Sequence, residues 1–245
     1  MVIQNKTILV AGGSSGIGLQ TAKVLVSKQN KVIICGRSNK KLEEAKALIP
    51  ELITYECDIS ELKNCKKLAT WIASKHPKCS VLINNAAIVH KTDFFEDDEM
   101  LAKADLEIRT NLMAPVHLCK HFLPILARHP HGKIINITTG LVYSPKASYP
   151  IYNAAKAALR SFTHVLRMQT KHLPIAIIEV LFPVVDTPWH RGNVPTTAIS
   201  SEKAVEEMIR KLEKGQTEIK IGKVKLLYYV SRLAPILASK IINSL

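Results

Sequence analysis

The chain has 245 residues, 47% hydrophobic and 22% charged, a balance that fits a globular fold with a sizeable core and excludes disordered, collagen-like and low-complexity classes. Its 34 Lys and Arg against 20 Asp and Glu leave a formal charge of +14, which favours an anionic ligand, a lipid surface or nucleic acid. Five scattered cysteines with no C-x-x-C pair (Cys35, Cys57, Cys65, Cys79, Cys119) exclude a disulfide framework and a zinc knuckle.

Short apolar runs alternate with longer amphipathic stretches, the pattern of β-α units laid into a parallel sheet. Strands are expected at Thr7 to Ala11, Lys31 to Cys35, Ile53 to Glu56, Val81 to Asn84, Lys133 to Thr138, Ile175 to Leu181 and Glu218 to Ile221. Helices are expected between them at Gly18 to Ser27, Lys40 to Leu48, Glu61 to Lys75, Leu101 to Ala127, Ile151 to His172 and Glu202 to Lys214. No linker or internal repeat divides the series, so the expected architecture is α/β: a single doubly wound domain over residues 1–222 with a parallel sheet of about seven strands. A stretch without periodicity at about 188–200, Trp189 to Ile199 at its centre, follows a strand end and is read as a substrate lid. Residues 223–245 form an amphipathic helical tail, with Leu226, Val230, Leu233, Leu237 and Ile241 at helical spacing and Pro235 expected to kink or split it. The apolar run before Gly12 is too short for a signal-peptide core, and no stretch reaches a membrane span uninterrupted. The expected location is the cytoplasm, with the inner face of the membrane open through the tail.

The first strand runs into Gly12-Gly13-Ser14-Ser15-Gly16-Ile17-Gly18 and a helix. Glycines there let the backbone turn and approach a pyrophosphate, whose charge meets the free N–H groups of the helix start. After the second strand come Gly36-Arg37-Ser38, with a guanidinium in place of a carboxylate. That favours a ribose 2'-phosphate, hence NADP(H) over NAD(H), with NAD(H) kept open. Asp58 and Ile59 follow the third strand, and Asn85, Ala86 and Ala87 the fourth, at the edge where a dinucleotide would lie. Asp58 could accept from an adenine amino group, and the alanines would leave room for a ribose. Tyr152 and Lys156 stand four apart on a helix and so share a face. A cation beside a phenol favours phenolate and would lower its pKa from about 10 toward working pH, suiting a general acid or base at a carbonyl oxygen.

These motifs, in this order, resemble the short-chain dehydrogenase/reductase family from Lys6 to about Gly222. The resemblance implies a Rossmann-type fold and a nicotinamide cofactor. Tyr152 would be the proton donor or acceptor, Lys156 would bind the nicotinamide ribose, and Asn111 would hold a relay water. Thr139 stands where the family has Ser; it keeps the hydroxyl that would bond the substrate oxygen but adds a crowding methyl. Ala11, Ala87 and Val184 are further departures, at positions where Thr, Gly and Gly are common. Pro183, Val185 and Thr187 resemble the loop that touches the nicotinamide carboxamide, and Leu141, Val184 and Trp189 are added as substrate-side residues. Ile33 to Ser38, Ala114 to Leu118, Val185 to Thr187 and Glu202 to Gly222 are similar to the DltE-like oxidoreductase branch.

The expected activity is hydride transfer between NADP(H) and a small carbonyl or alcohol. Two alternatives stay open: reduction of a 3-oxoacyl chain on a carrier protein, and a nucleotide-binding scaffold or sensor with weak or lost turnover. His117 and His121 lie one helical turn apart, but no third ligand is apparent and no metal is assigned. Nucleic acid is not expected, for want of a reading element. A homodimer or homotetramer is implied by resemblance, and the tail is open to subunit packing, a membrane surface or its own cleft.

Overall fold

The structure is a computed structural model that describes residues 3–190 and 192–244; Arg191 in the lid lies outside the described residues. Strands β1 (Thr7–Ala11), β2 (Lys31–Gly36), β3 (Ile53–Glu56), β4 (Cys79–Asn84), β5 (Gly132–Thr139), β6 (Ile175–Phe182) and β9 (Glu218–Lys220) form one parallel seven-stranded sheet. Its order is β3-β2-β1-β4-β5-β6-β9. Because the central strands are buried on both faces, their alternation divides the core. Ile8 and Val10 of β1 join one cluster, and Leu9 and Ala11 join the other.

Helices cover both faces. On the first lie α1 (Gly16–Ser27), α2 (Asn39–Leu48) and α7 (Ser201–Glu213), and on the second α3 (Leu62–Lys75) and α5 (Ala114–Leu126). The order reverses between β1 and β4, so a crevice opens beyond their carboxyl ends, where open α/β sheets receive ligands. Register sets its floor: Ala11 pairs with Cys35 on one side and with Asn84 on the other.

The sequence pattern predicts one helix from Leu101 to Ala127, and the structure divides it. Helix α4 spans Met100–Ile108, a π turn spans Arg109–Met113, and α5 begins at Ala114. Pro115 has no N–H to give the carbonyl of Asn111, and the wider turn accommodates that missing bond. Apolar periodicity continues across the break, which hides it from the sequence.

Helix α6 (Pro150–Gln169) packs on β5 and β6. The segment expected to be a lid is bracketed by a two-stranded parallel ribbon, β7 (Val185–Asp186) against β8 (Ile199–Ser200). The tail splits at Pro235 into α8 (Val224–Leu233) and α9 (Pro235–Ser244). No helix among the described residues is long and apolar enough to cross a membrane.

Candidate active site

The glycine loop lines the crevice first. Gly12 and Gly16 adopt φ of +74° and +52°. A Cβ on Gly12 would stand 2.5 Å from the Cα of Ala86, and one on Gly18 would stand 2.0 Å from the carbonyl of Gly12. The loop therefore lies tightly on the end of β4, and Asn85 Nδ2 donates to the Gly12 carbonyl at 2.9 Å. Ser15 is the residue before α1, yet its side chain makes no cap hydrogen bond and the first turn holds no acid. The helix thus presents an uncapped positive end to the crevice. Thr187 faces it: its Cγ2 is 3.3 Å from where a Gly16 Cβ would stand.

At the end of β2, Ser14 Oγ lies beside Gly36. Ser38 caps α2 by accepting from Lys41 N. Arg37 is exposed at the same edge, makes no ion pair among the described residues, and is followed by a first helical turn without acids. Asp58 turns to its own loop: its Oδ1 accepts from Ser60 N at 2.9 Å and Ser60 Oγ at 2.7 Å. Two residues expected at the cofactor are core side chains instead. Ile59 and Val185 are buried in the two apolar clusters, Val185 between the exposed Val184 and Asp186. Only their backbones are left to face the crevice. Ala87 and Val184 are exposed, and Pro183, Ile17 and Leu141 are half-buried.

Deeper in, β5 ends in Thr139, which is 8% exposed, and α6 brings Tyr152 and Lys156 against it. The Thr139 hydroxyl accepts from Leu141 N at 3.3 Å and lies close enough to the Tyr152 phenol to favour its ionised form. Lys156 is 2% exposed, donates from Nζ to the Ile137 carbonyl at 3.0 Å, and stands 5.9 Å from the Tyr152 ring centre. The expected lowering of the phenol does not occur. Burial pushes Tyr152 up from 10.0 to about 12; the Thr139 hydroxyl lowers it by less, and the Glu107 charge adds to the rise. Burial also pulls Lys156 down from 10.5 to about 8. Desolvation is the largest cause at both groups: it favours the neutral phenol at Tyr152 and the neutral amine at Lys156.

Asn111 is fully buried in the π turn, and both ends of its amide are spent on one residue. Oδ1 accepts from Ile88 N at 2.9 Å, and Nδ2 donates to Ile88 O at 2.7 Å. The side chain thereby braces the strand end after Asn85. Trp189 of the lid is 46% exposed and reaches Tyr149 at the start of α6, with ring centres 6.1 Å apart. An open hollow lined by Asp186, Thr187, Pro188, Val194 and Ser200 lies beside it.

Sequence reasoning missed two groups. Glu107, 2% exposed on α4, accepts from His90 N at 2.7 Å and meets His90 Nδ1 at 2.9 Å, with its charge felt at Tyr152. Helical periodicity gives no signal for it. Glu179, fully buried in β6, pairs with Arg160 and accepts from Thr138 Oγ1 at 2.7 Å. A lone carboxylate in the apolar run Ile175 to Phe182 could have been noticed. His164, Glu179 and Glu218 approach one another closely, but Arg160 and Lys220 already neutralise the two carboxylates. His117 and His121 stack edge to face at 6.2 Å and join no cluster of three ligands among the described residues.

A doubly wound sheet with a glycine cradle at its switch point, and a hydroxyl, a phenol and an ammonium one strand away, defines a dinucleotide-binding α/β class. The family described as short chain dehydrogenase matches residues 6–198, and the chain belongs to that family. It is 40% identical over 224 residues to the uncharacterized oxidoreductase DltE of Bacillus subtilis (strain 168), covering 89% of each chain. It is 27% identical over 242 residues to a fatty acyl-CoA reductase of Acinetobacter baylyi, covering 95% of this chain and 81% of that one. A short chain dehydrogenase from Burkholderia cenocepacia J2315, solved in complex with NADP, superposes with a TM-score of 0.87 at 24% identity over 99% of both chains, a likeness of fold.

Proposed function

We propose that the chain is an oxidoreductase that prefers NADP(H) and interconverts a carbonyl and an alcohol. The observation that carries the reading is the convergence of Thr139, Tyr152 and Lys156 beside the glycine cradle. The cradle fits a dinucleotide because a Cβ at Gly12 or Gly18 would close it and because α1 offers an uncapped positive end. Gly12, Ser14, Ser15, Gly16 and Gly18 would hold the pyrophosphate side. Asn85, Ala86 and Ala87 would take the adenosine ribose, Lys156 the nicotinamide ribose, and Thr187 the carboxamide. Arg37 and Ser38 would take a 2'-phosphate, and the absence of acids in the first turn of α2 leaves that charge unopposed.

When bound, the nicotinamide supplies or accepts a hydride. The residues of the chain handle the proton. In the reducing direction the substrate oxygen accepts hydrogen bonds from Thr139 and Tyr152, and Tyr152, protonated at neutral pH, gives up its proton to it. The phenolate left behind is stabilised by the Lys156 ammonium and the Thr139 hydroxyl. Asn111 acts by fixing Ile88 and so the chain after Asn85. Trp189 and the ribbon-tied lid would exclude water above the substrate.

The test is a panel of aldehydes, ketones and alcohols, assayed with NADPH and NADH side by side. Cofactor oxidation on at least one carbonyl, faster with NADPH, supports the reading. Tight NADPH binding with no turnover across the panel would instead favour a nucleotide-binding scaffold.

A further inference from the structure

The tail carries an apolar surface that the enzyme reading does not use. Helix α8 docks by one side: Val224 is buried, and Val224 and Leu227 approach Gly140. Tyr228 packs on Tyr143 at 5.1 Å between ring centres. Helix α9 is pinned through Asn243, whose Oδ1 accepts from Ala147 N at 2.7 Å. The hairpin is thus rooted on the loop between Thr139 and Tyr152, and its inner side is accounted for.

Its outer side is not. Leu226, Tyr229, Leu233, Ile236, Leu237 and Ile241 are exposed, Leu233 at 84% and Ile236 at 74%. On α8, Leu226, Tyr229 and Leu233 fall within one stripe at helical spacing, opposite the docked Val224 and Leu227. Exposed Lys225 and Arg232 border the stripe on one side and Lys223 on the other. On α9, exposed Lys240 lies among Ile236, Leu237 and Ile241. Residues 221–244 contain no Asp or Glu.

We propose that the outer face of the α8–α9 hairpin docks on an anionic lipid bilayer. Apolar side chains flanked by long cationic ones match a layer whose acyl boundary takes the first and whose phosphate headgroups take the second. Self-association through the same face is disfavoured, since it would bring four cations against four cations with no carboxylate between them. The hairpin lies on the bilayer and does not cross it, for neither helix is long enough.

The test is co-sedimentation of the full chain with vesicles of phosphatidylcholine alone and of phosphatidylcholine with phosphatidylglycerol. A chain of charge +14 adsorbs weakly to any anionic surface, so the deciding variant is charge-neutral: Leu233→Ser with Ile236→Ser, both at exposed sites that do not support the fold. Wild type is expected to bind the anionic vesicles and not the neutral ones. The double variant is expected to bind about tenfold more weakly, and Lys225→Glu with Arg232→Glu to lose salt-sensitive binding. Unchanged binding by the Ser variant would overturn the proposal as generic adsorption. So would a wild type that binds no vesicle but shrinks to a smaller assembly on the Ser substitution, which would assign the face to a second copy, for instance onto the segment Asp93 to Glu99, which carries Asp93, Glu96, Asp97, Asp98 and Glu99.

Discussion

Replacing Asn111 with Ala removes two part-buried hydrogen bonds at once, the 2.9 Å bond from Ile88 N and the 2.7 Å bond to Ile88 O. Both partners are main-chain groups of the strand exit that holds Asn85, and each left unsatisfied costs about 1–3 kcal/mol. The expected loss is therefore about 2–6 kcal/mol, a large share of the 5–15 kcal/mol typical of a whole domain. Urea unfolding followed by far-ultraviolet circular dichroism should show the midpoint fall with the slope unchanged. NADPH binding should weaken with it, because Asn85 anchors the Gly12 carbonyl. Asn111→Asp keeps the acceptor for Ile88 N but loses the donor and buries a charge, and should do no better. A midpoint for Asn111→Ala within about 0.5 kcal/mol of wild type would refute the bracing role.

Other expectations follow from the same geometry. Arg37→Asp should move the kcat/KM ratio for NADPH over NADH toward NADH by about tenfold or more, and an unchanged ratio would remove Arg37 from the cofactor site. Thr139→Ser should retain turnover, since it keeps the hydroxyl, whereas Thr139→Ala should lose about 100-fold; equal losses would show that the methyl matters more than the oxygen. The Lys156 amine, depressed to about 8, should cause carbonyl reduction to fall as pH rises through about 8, and a profile flat to pH 10 would exclude the ammonium from the mechanism. The same shift has a stability sign. Between about pH 8 and 10.5 the unfolded chain binds the extra proton, so the penalty for burying Lys156 is full below pH 8 and is relieved as pH rises. Without cofactor, Lys156→Met should accordingly stabilise the protein at pH 7, by about 2 kcal/mol after loss of the Ile137 bond, and the gain should shrink above pH 8. A constant gain across that range would contradict the shift.

The central strands of the sheet were legible because each is a short apolar run buried on both faces, and the glycine turn because only a strand before and a helix after give it meaning. Pro235 announced the break in the tail. Pro115 did not announce the π turn, since Leu118, Phe122 and Leu126 continue the apolar rhythm of Leu106 as though one helix ran through. Tyr152 and Lys156 were placed on one face by spacing alone, but spacing carries no information on burial, and burial reverses the expected direction for the phenol. Ile59 and Val185 turn their side chains into the core, a choice settled by packing in the two apolar clusters that spacing does not reveal. Glu107 and His90 are 17 residues apart in sequence and meet only because the π turn and the end of β4 converge.

The most direct measurement compares wild type with Tyr152→Phe on whichever carbonyl the panel identifies, following NADPH absorbance for turnover and calorimetric titration for NADPH affinity. If Tyr152 delivers the proton as proposed, the variant should bind NADPH within about threefold of wild type while turnover falls by at least 1,000-fold. Turnover by Tyr152→Phe equal to that of wild type would contradict the assignment of Tyr152 as the general acid.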